Sequence, residues 1–359
     1  MHELRAEFPV LQRVAYLNAG TNGPVPRKAV DAVAASLRRQ VEDGRSGKAL
    51  FEDAAARAGE LRERAARMLG AQPDEVALTA STTDGVNTVL EASEIHPGDE
   101  LLTTDEEHPG VLGPLAAARD GRGARVRVVP WDELASAAGP QTRMIVCSHV
   151  SWITGKVIDT EALGATGVEV LLDGAQSVGA LPVDVRALGC HYYAGSGQKW
   201  LCGPNGIGYL YVRADRMAGL RPARSGYHAL DDPGDPLGSS PKPGARRLDS
   251  GLQAHHQLTW AQAALDVLEA PGIERLQARA TALAAGLAEQ LAGRGMTVAP
   301  RGPTTLVSVR VDDPPALVER LASEKLVVRD LPGTAWVRAS VGGWTSEDEL
   351  DRLVAALTR

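Results

Sequence analysis

Seven short apolar or β-branched runs alternate with Ala- and Leu-rich segments along the first two thirds of the chain. They occupy residues 76–80, 100–105, 125–130, 144–150, 168–173, 191–196 and 206–212. Alternation of this kind is typical of a mostly parallel sheet covered by helices. Polar or turn residues stand at or just after the ends of the first five runs, where an open α/β sheet places the groups that bind a ligand. We therefore predict an α/β fold with a site at one edge of the sheet.

A change of composition divides the chain. Residues 231–247 are rich in Pro and Gly, which cannot continue a helix or a central strand, so a long loop is expected there. Beyond it, strand-like and helical segments alternate as in an α+β unit. Because 359 residues exceed one average domain, we predict a large domain over residues 15–250, a smaller α+β domain over 251–359, and an N-terminal segment, 1–14, packed near the smaller domain.

Composition and charge disfavour several classes of protein. A net charge of -7 without a basic run argues against binding to nucleic acid. The chain has no apolar stretch long enough to span a bilayer and no signal peptide, so we expect a cytoplasmic protein without a membrane partner. Cys147, Cys190 and Cys202 show no CxxC spacing, and His255 and His256 are adjacent, so neither disulfides nor a metal site is expected.

Two segments carry residues suited to chemistry. Asp173 comes directly after an apolar run and is followed by small residues, so a planar ligand can approach the backbone there. A carboxylate in that place suits a protonated ring nitrogen. Lys199 lies in a glycine-rich turn, GSGQKWLCG, between two predicted strands. Partial desolvation in so tight a turn lowers the pKa of a lysine and favours its neutral, nucleophilic amine.

Taken together, these segments resemble the class V aminotransferase family, which includes cysteine desulfurases, isopenicillin N epimerase, kynureninase and carbon–sulfur lyases. The matching segments run in order from Tyr16 to the last predicted helix. The resemblance implies a pyridoxal 5'-phosphate (PLP) enzyme of fold type I with a mostly parallel seven-stranded sheet. It also implies that Lys199 holds the cofactor covalently and that Asp173 pairs with the pyridine nitrogen.

The remaining cofactor contacts are implied by the same resemblance. The segment TASTTDGVNTVL is similar to the family's phosphate-binding turn, and hydroxyls followed by the free amides of a helix suit a dianion. The histidine of EEHPG matches the residue that stacks on the pyridine ring. The glutamine of DGAQ matches a partner of the phenolic oxygen, and the serine of AGSGQK matches a phosphate contact. These positions are Ser81, Thr82, Thr83, His108, Gln176 and Ser196.

The segment WVRASVGGWTSEDELDRLV is similar to the family's C-terminal signature, in which an arginine binds the α-carboxylate of an amino-acid substrate. That role falls on Arg338, since a guanidinium fits a carboxylate in two parallel hydrogen bonds. By the same resemblance Asn18 and Thr21, in YLNAGTNGPVP, belong to the substrate side of the site. So does His149, in SHVSWITGKVI.

Three departures from the family pattern bear on which reaction and which contact between subunits we expect. Cysteine desulfurases carry a mobile-loop cysteine shortly before the C-terminal arginine, and VVRDLPGTAWVRAS has none. Gln198 replaces the usual histidine before the lysine, and the longer spacing of KWLCGP is more like that of isopenicillin N epimerase. Gly251 is followed by Leu252, where many members donate a threonine across a subunit interface to the phosphate, so this contact is missing or is replaced by Gln253 or His255. A homodimer is still expected, because the preceding loop resembles the family's interface loop.

These observations favour a lyase or epimerase-like reaction at Cα or Cβ of an L-amino acid, including C–S lyase chemistry. A true aminotransferase stays open, and a persulfide-forming desulfurase is disfavoured because the loop cysteine is missing. A PLP-binding module without activity is disfavoured because Lys199, Asp173, His108 and Arg338 are all present. A nucleotide site is not supported, because neither GxxxxGK followed by Ser or Thr nor GxGxxG occurs where a strand leads into a helix.

Overall fold

The computed structural model describes residues 2–222, 224–249, 251 and 253–359. In chain order the helices α1 to α11 span His2–Ala6, Arg27–Asp43, Lys48–Leu69, Thr82–Ala92, Pro109–Arg122, Leu134–Ala137, Thr160–Ala165, His255–Glu269, Ile273–Gly293, Pro314–Ser323 and Glu347–Leu357. The strands β1 to β12 span Ala15–Tyr16, Val76–Thr79, Glu100–Thr104, Arg125–Val129, Thr142–Ser148, Glu169–Asp173, Tyr192–Ser196, Gly208–Val212, Leu306–Arg310, Leu326–Val327, Arg329–Asp330 and Trp336–Ser340.

The largest sheet has the strand order β2-β8-β7-β6-β5-β3-β4. Its pairs are parallel, except that β8 runs antiparallel to both β2 and β7. Each of the seven runs picked out from the sequence forms one of these strands, with ends that differ by a residue or two. The predicted α/β class with a mostly parallel seven-stranded sheet is confirmed.

Helices cover both faces of this sheet. Neighbouring residues of β6 belong to different hydrophobic clusters, Leu171 to one and Leu172 to the other. The cluster of Leu172 includes buried residues of α3 and α8, whereas the cluster of Leu171 includes residues of α4 and α5. Because both faces are buried, the central strands are nearly continuous apolar runs rather than alternating ones.

A smaller sheet, in the order β11-β12-β9, is antiparallel. Its buried side chains pack with those of α9, α10 and α11 in a hydrophobic cluster of their own. Near the N-terminus, β1 pairs in parallel with β10 and so ties the start of the chain to this part of the fold. The division of the chain between residues 250 and 251 stays a prediction, and residue 250 lies outside the described residues.

The first helix is held against the last one. Arg5 donates two hydrogen bonds of 2.9 Å to the carboxylate of Glu349 in α11. The ring of Phe8 lies 5.3 Å from that of Trp344, centroid to centroid. Ser346 caps α11 by accepting from the backbone N–H of Glu349, in a capping box. Among the described residues, no helix is both long and apolar enough to cross a membrane.

Candidate active site and cofactor pocket

A cavity of about 320 Å³ opens at the carboxyl ends of the parallel strands. Its volume falls in the range of small-molecule pockets, roughly 300 to 1,000 Å³. The cavity is bounded by the N-terminal end of α4, the turn after β7 and the pair β11–β12. The structure brings ten of the twelve residues singled out in the sequence to its wall, namely Thr21, Ser81, Thr82, Thr83, His108, Asp173, Gln176, Ser196, Lys199 and Arg338.

Asp173 and Lys199 lie in this cavity close enough for their charges to interact. Asp173 is the last residue of β6, and its Oδ1 accepts from the backbone N–H of Ala175 at 2.8 Å. Burial raises the pKa of Asp173, and the positive charge of Lys199 opposes that shift. Burial lowers the pKa of Lys199 to about 8; Asp173 opposes this shift, and two nearby arginines add to it. A substantial fraction of neutral amine is therefore present near neutral pH.

The N-terminal end of α4 presents hydroxyls and free amides to the cavity. Ser81 is the N-cap residue, and its hydroxyl accepts from the backbone N–H of Asp84 at 3.0 Å. The hydroxyls of Thr82 and Ser196 are buried and have no hydrogen-bond partner among the described residues. A helix N-terminus and unpaired hydroxyl donors suit a dianionic phosphate, because both offer partial positive charge.

His108 is the N-cap residue of α5 and lies edge-on to Trp152, with ring centroids 4.9 Å apart and an interplanar angle of 86°. Its Nδ1 accepts from the backbone N–H of Gly110 at 2.9 Å, which assigns the ring proton to Nε2. Burial lowers the pKa of His108 to about 4, and the charges of Lys199 and Arg338 add to this shift. The imidazole is therefore neutral at neutral pH.

Gln176 joins the stretch after β1 to the turn that carries Lys199. Its Nε2 donates to the carbonyl of Gly20 at 2.9 Å, and its Oε1 accepts from the indole N–H of Trp200 at 3.2 Å. A Cβ on Gly20 would lie 2.7 Å from Ser340 Oγ and 2.9 Å from Arg338 Nη2. A side chain at position 20 would therefore displace the ends of the Ser340 and Arg338 side chains, where the stretch after β1 approaches the cavity.

Two guanidinium groups face the cavity from opposed positions on β11 and β12. Arg329 pairs in register with Arg338, so their side chains are cross-strand neighbours. Arg338 is 1% exposed and donates to the carbonyl of Trp152 at 2.7 Å, whereas Arg329 donates to Thr21 Oγ1 at 3.1 Å. Within the described parts of the chain, no acidic side chain forms an ion pair with either guanidinium. Burial, and then the charge of Arg329, lowers the pKa of Arg338 to about 9.

Two predicted substrate-side residues do not line the cavity. The Oδ1 of Asn18 accepts from Thr21 Oγ1 at 2.7 Å, so Asn18 contacts the cavity residue Thr21 without lining the cavity itself. His149 directly follows β5 and is buried; its Nδ1 is 2.9 Å from Tyr193 Oη, and burial lowers its pKa to about 4. Direct contact of Asn18 or His149 with substrate stays a prediction. Neither residue lines the cavity, which argues against such a contact.

The structure adds residues to the wall that sequence reasoning missed. Arg329, Trp152 and Asn205 line the cavity, and Gln198, noted in the sequence only as a departure, does so too. Trp152 follows the end of β5 closely, which is the position where an α/β sheet places ligand contacts. That signal was available in the sequence. Arg329 lies in a strand of two residues, too short to show a periodic pattern.

Comparison with known proteins identifies the family. The family model described as Aminotransferase class-V matches residues 15–353. The chain belongs to this family. Among curated proteins it is similar to a cysteine desulfurase of Cronobacter sakazakii. The two are 30% identical over an alignment of 399 positions, which covers 100% of the chain and 98% of the relative. It is also similar to isopenicillin N epimerase of Streptomyces clavuligerus. These two are 31% identical over an alignment of 395 positions, which covers 99% of the chain and 97% of the epimerase.

Two solved structures superpose on nearly the whole chain. The cystine C–S lyase C-DES, in complex with cysteine persulfide, has a TM-score of 0.91 at 29% identity and covers 98% of this chain and 99% of its own. A lysine-to-alanine variant of C-DES with glycine covalently linked to its PLP cofactor has a TM-score of 0.92, also at 29% identity, covering 99% and 98%. The predicted family, fold and cofactor are confirmed, and this chain is a PLP-dependent enzyme.

The side chains around the cavity fit PLP. The unpaired hydroxyls of Thr82 and Ser196 and the amides of α4 suit its phosphate, the buried carboxyl of Asp173 suits its ring nitrogen, and Lys199 suits its aldehyde. When bound, PLP withdraws electrons from Cα of an amino acid, which is the chemistry that the polypeptide itself lacks.

Proposed function

We propose that the protein is a C–S lyase acting on a sulfur-containing L-amino acid that carries a second carboxylate, such as an amino-acid disulfide. The observation that carries the proposal is the pair of guanidinium groups of Arg338 and Arg329, opposed across β11 and β12 without an acidic partner among the described residues. Like charges directly opposite each other destabilise a sheet, so two such cations at one cavity suit a ligand with two anionic groups. Similarity to the cystine C–S lyase C-DES supports the same substrate class.

We infer tasks for three of the cavity residues in this reaction. Arg338 binds the α-carboxylate in two parallel hydrogen bonds, and Arg329 binds the distal carboxylate. The neutral amine of Lys199 would take the Cα proton. The Cβ–S bond then breaks with both electrons leaving on sulfur, so the leaving group is a persulfide. Hydrolysis of the remaining three-carbon fragment with one water gives pyruvate and ammonia.

The geometry described above supports a set of cofactor contacts. We infer that Ser81, Thr82, Thr83 and Ser196 contact the phosphate and that Asp173 pairs with the ring nitrogen. We also infer that the neutral His108 ring stacks on the cofactor and that Gln176 lies next to the phenolic oxygen. Asp173, as a carboxylate, keeps the ring nitrogen protonated and so increases electron withdrawal from Cα.

The cysteines do not support a persulfide-forming desulfurase. Cys147, Cys190 and Cys202 are all buried. Burial raises the pKa of each thiol, that of Cys190 to about 12, so none is a thiolate at neutral pH. Neither a nucleophilic cysteine nor a cysteine between β11 and Arg338 is available to accept sulfur. Sulfur therefore leaves on the product rather than on the protein.

Epimerisation is the second candidate, because the chain is 31% identical to isopenicillin N epimerase over nearly its full length. An epimerase returns the proton to the opposite face of Cα and leaves Cβ intact. A second acid–base group on that face would be needed. His108 lines the cavity, and its neutral imidazole is the candidate for that role. A true aminotransferase stays an alternative.

Product analysis separates these candidates. The holoenzyme is incubated with L-cystine, and pyruvate, ammonia and thiol-releasable sulfur are measured together with the chirality of recovered substrate. The lyase proposal predicts equal amounts of pyruvate and ammonia with no D-amino acid. Recovery of racemised substrate would support the epimerase instead, and exchange with an added keto acid would support the aminotransferase.

We also propose a homodimer, as the family resemblance suggests. The exposed apolar side chains of Val30, Leu37 and Val41 on α2 and of Phe51 on α3 support an interface there. Leu252 lies outside the described residues. The ring nitrogens of His255 contact Ser36 and Asp53 of the same chain, so this histidine does not suit a contact across the interface. Light scattering tests the dimer, and a cytoplasmic location stays a prediction.

A further inference from the structure

Glu107 lies between the diverging ends of two parallel strands. β3 pairs with β5 only from Glu100 to Leu102, although β5 continues to Ser148. The Glu107 carboxylate fills the gap beyond that point. It accepts from the backbone N–H of Ser148 at 3.0 Å to each oxygen, from Ser148 Oγ at 2.7 Å and from Thr104 Oγ1 at 2.7 Å. One side chain therefore replaces the strand pairing that is lost.

The stability of the fold does not by itself explain a carboxylate in this position. Glu107 is 4% exposed, and among the described residues no Lys, Arg or His side chain forms an ion pair with it. Burial raises the pKa of Glu107 to about 7, its bonds from Ser148 and Thr104 oppose that shift, and the charge of Asp173 adds to it. A buried charge without a counter-ion is costly, and an apolar replacement is often neutral for stability.

The hydrogen bonds of the Glu107 carboxylate form a bridge between the ends of β3 and β5, and residues next to both ends of this bridge line the cofactor cavity. On one side, Glu107 directly precedes His108, which caps α5 and lines the cavity. On the other, Ser148 pairs in register with Asp173, and the next residue, His149, donates its backbone N–H to the Asp173 carbonyl at 2.8 Å. The bridge therefore links the two side chains that flank the place of the pyridine ring.

We propose that Glu107 is a positioning residue of the cofactor site: its carboxylate joins the ends of β3 and β5 and thereby fixes His108 relative to Asp173. Glu107 does not itself line the cavity, so it acts through its neighbours. This role is independent of which reaction the enzyme catalyses, because it concerns the placement of PLP alone.

Cofactor binding by Glu107→Gln and Glu107→Ala tests the proposal, with Glu75→Gln as the matched control. Glu75 is also 4% exposed, but its carboxylate accepts from Gln72 and Arg186, neither of which lines the cavity. The dissociation constant of PLP is measured by titration of apoenzyme, and visible circular dichroism reports the orientation of the bound ring. We expect the constant to rise at least about tenfold in Glu107→Ala and less in Glu107→Gln, with altered visible dichroism in both. The control should stay within about twofold.

Two further variants cover the case in which the Glu107 variants do not fold. Thr104→Val and Ser148→Ala keep the carboxylate and each remove one hydroxyl donor. We expect each to weaken PLP binding about threefold and to change the visible dichroism in the same direction as Glu107→Gln. Folded Glu107 variants with wild-type affinity and dichroism would overturn the proposal. If only Thr104→Val and Ser148→Ala fold, wild-type values in both would overturn it equally.

Discussion

The amine of Lys199 must be neutral to act as a nucleophile near neutral pH, but the neighbouring carboxyl of Asp173 favours its protonated form. Burial and the arginine charges outweigh Asp173, and the pKa of Lys199 falls to about 8. Below pH 8 the neutral fraction of such an amine decreases about tenfold per pH unit. The cavity thus prepares the lysine before any ligand enters.

The pH dependence of cofactor capture tests this assignment. When apoenzyme is mixed with PLP, we expect the rate of growth of the visible absorbance to rise with pH and to level off above about 8, because the neutral amine is the reactive form. Stopped-flow absorbance over a series of buffers measures it. A rate that keeps rising to about 10.5, the usual pKa of a lysine, would contradict the assignment.

Arg329 should matter only for substrates with a distal carboxylate. We expect Arg329→Gln to lower kcat/KM for L-cystine about tenfold or more, because a hydrogen-bonded charge pair is lost, and to leave kcat/KM for S-methyl-L-cysteine nearly unchanged. Steady-state kinetics with both substrates measure it. Arg310→Gln is the control, since Arg310 is an exposed arginine of the same sheet. Equal losses for both substrates would contradict a distal-carboxylate role.

At the scale of elements, the site depends on how closely strand β8 passes the start of α4. A Cβ on Gly208 would lie 2.7 Å and 2.8 Å from backbone atoms of Ser81, which no side-chain movement can relieve. Any side chain at position 208 therefore displaces the first turn of α4, which carries the hydroxyls of Thr82 and Thr83.

We expect Gly208→Ala to weaken PLP binding and to lower the free energy of unfolding by about 1 to 3 kcal/mol, as overpacking generally does. Titration with PLP and thermal unfolding of the apoenzyme measure the two effects. Gly286→Ala is the control, because Gly286 lies within α9 with no heavy atom near its Cβ position, and the alanine should stabilise the helix by up to about 1 kcal/mol. Wild-type PLP affinity in Gly208→Ala would contradict the close approach.

The elements differ in how far the sequence predicts them. Most strands of the large sheet are predictable because burial on both faces gives them nearly continuous apolar runs. The edge strand β4 is largely exposed and is predictable from its alternation of Arg and Val instead. β11 is not, because two residues carry no periodicity, and Arg329 was missed with it. EEHPG was interpreted only for its histidine, since nothing in a sequence separates a buried glutamate such as Glu107 from an exposed one.

At the scale of the whole molecule, the cavity is assembled from segments far apart in the chain. Thr21 comes from the stretch after β1, Thr82 from α4, Lys199 from the turn after β7, and Arg338 from the small sheet. The relative placement of these parts depends on contacts such as that of Arg5 with Glu349, 344 residues apart. Sequence patterns describe single elements, so a contact of this kind is visible only in the folded chain.

We expect Arg5→Ala to lower the free energy of unfolding by about 1 to 3 kcal/mol, because Glu349, which is 4% exposed, loses a charged partner. Thermal or urea unfolding measures it. Arg13→Ala, at an exposed position of the same segment, should change stability by less than about 0.5 kcal/mol. Equal effects of the two substitutions would show that the bridge does not hold the N-terminal segment.

Everything proposed for this site requires PLP to be joined to the buried amine of Lys199. Borohydride reduction of the holoenzyme, followed by proteolysis and mass spectrometry of the peptides, measures this directly. The expected result is a single pyridoxyl-modified residue, Lys199, together with loss of the visible absorbance. Modification of a different lysine, or an unmodified Lys199 in a protein that has lost its visible band on reduction, would contradict the assignment.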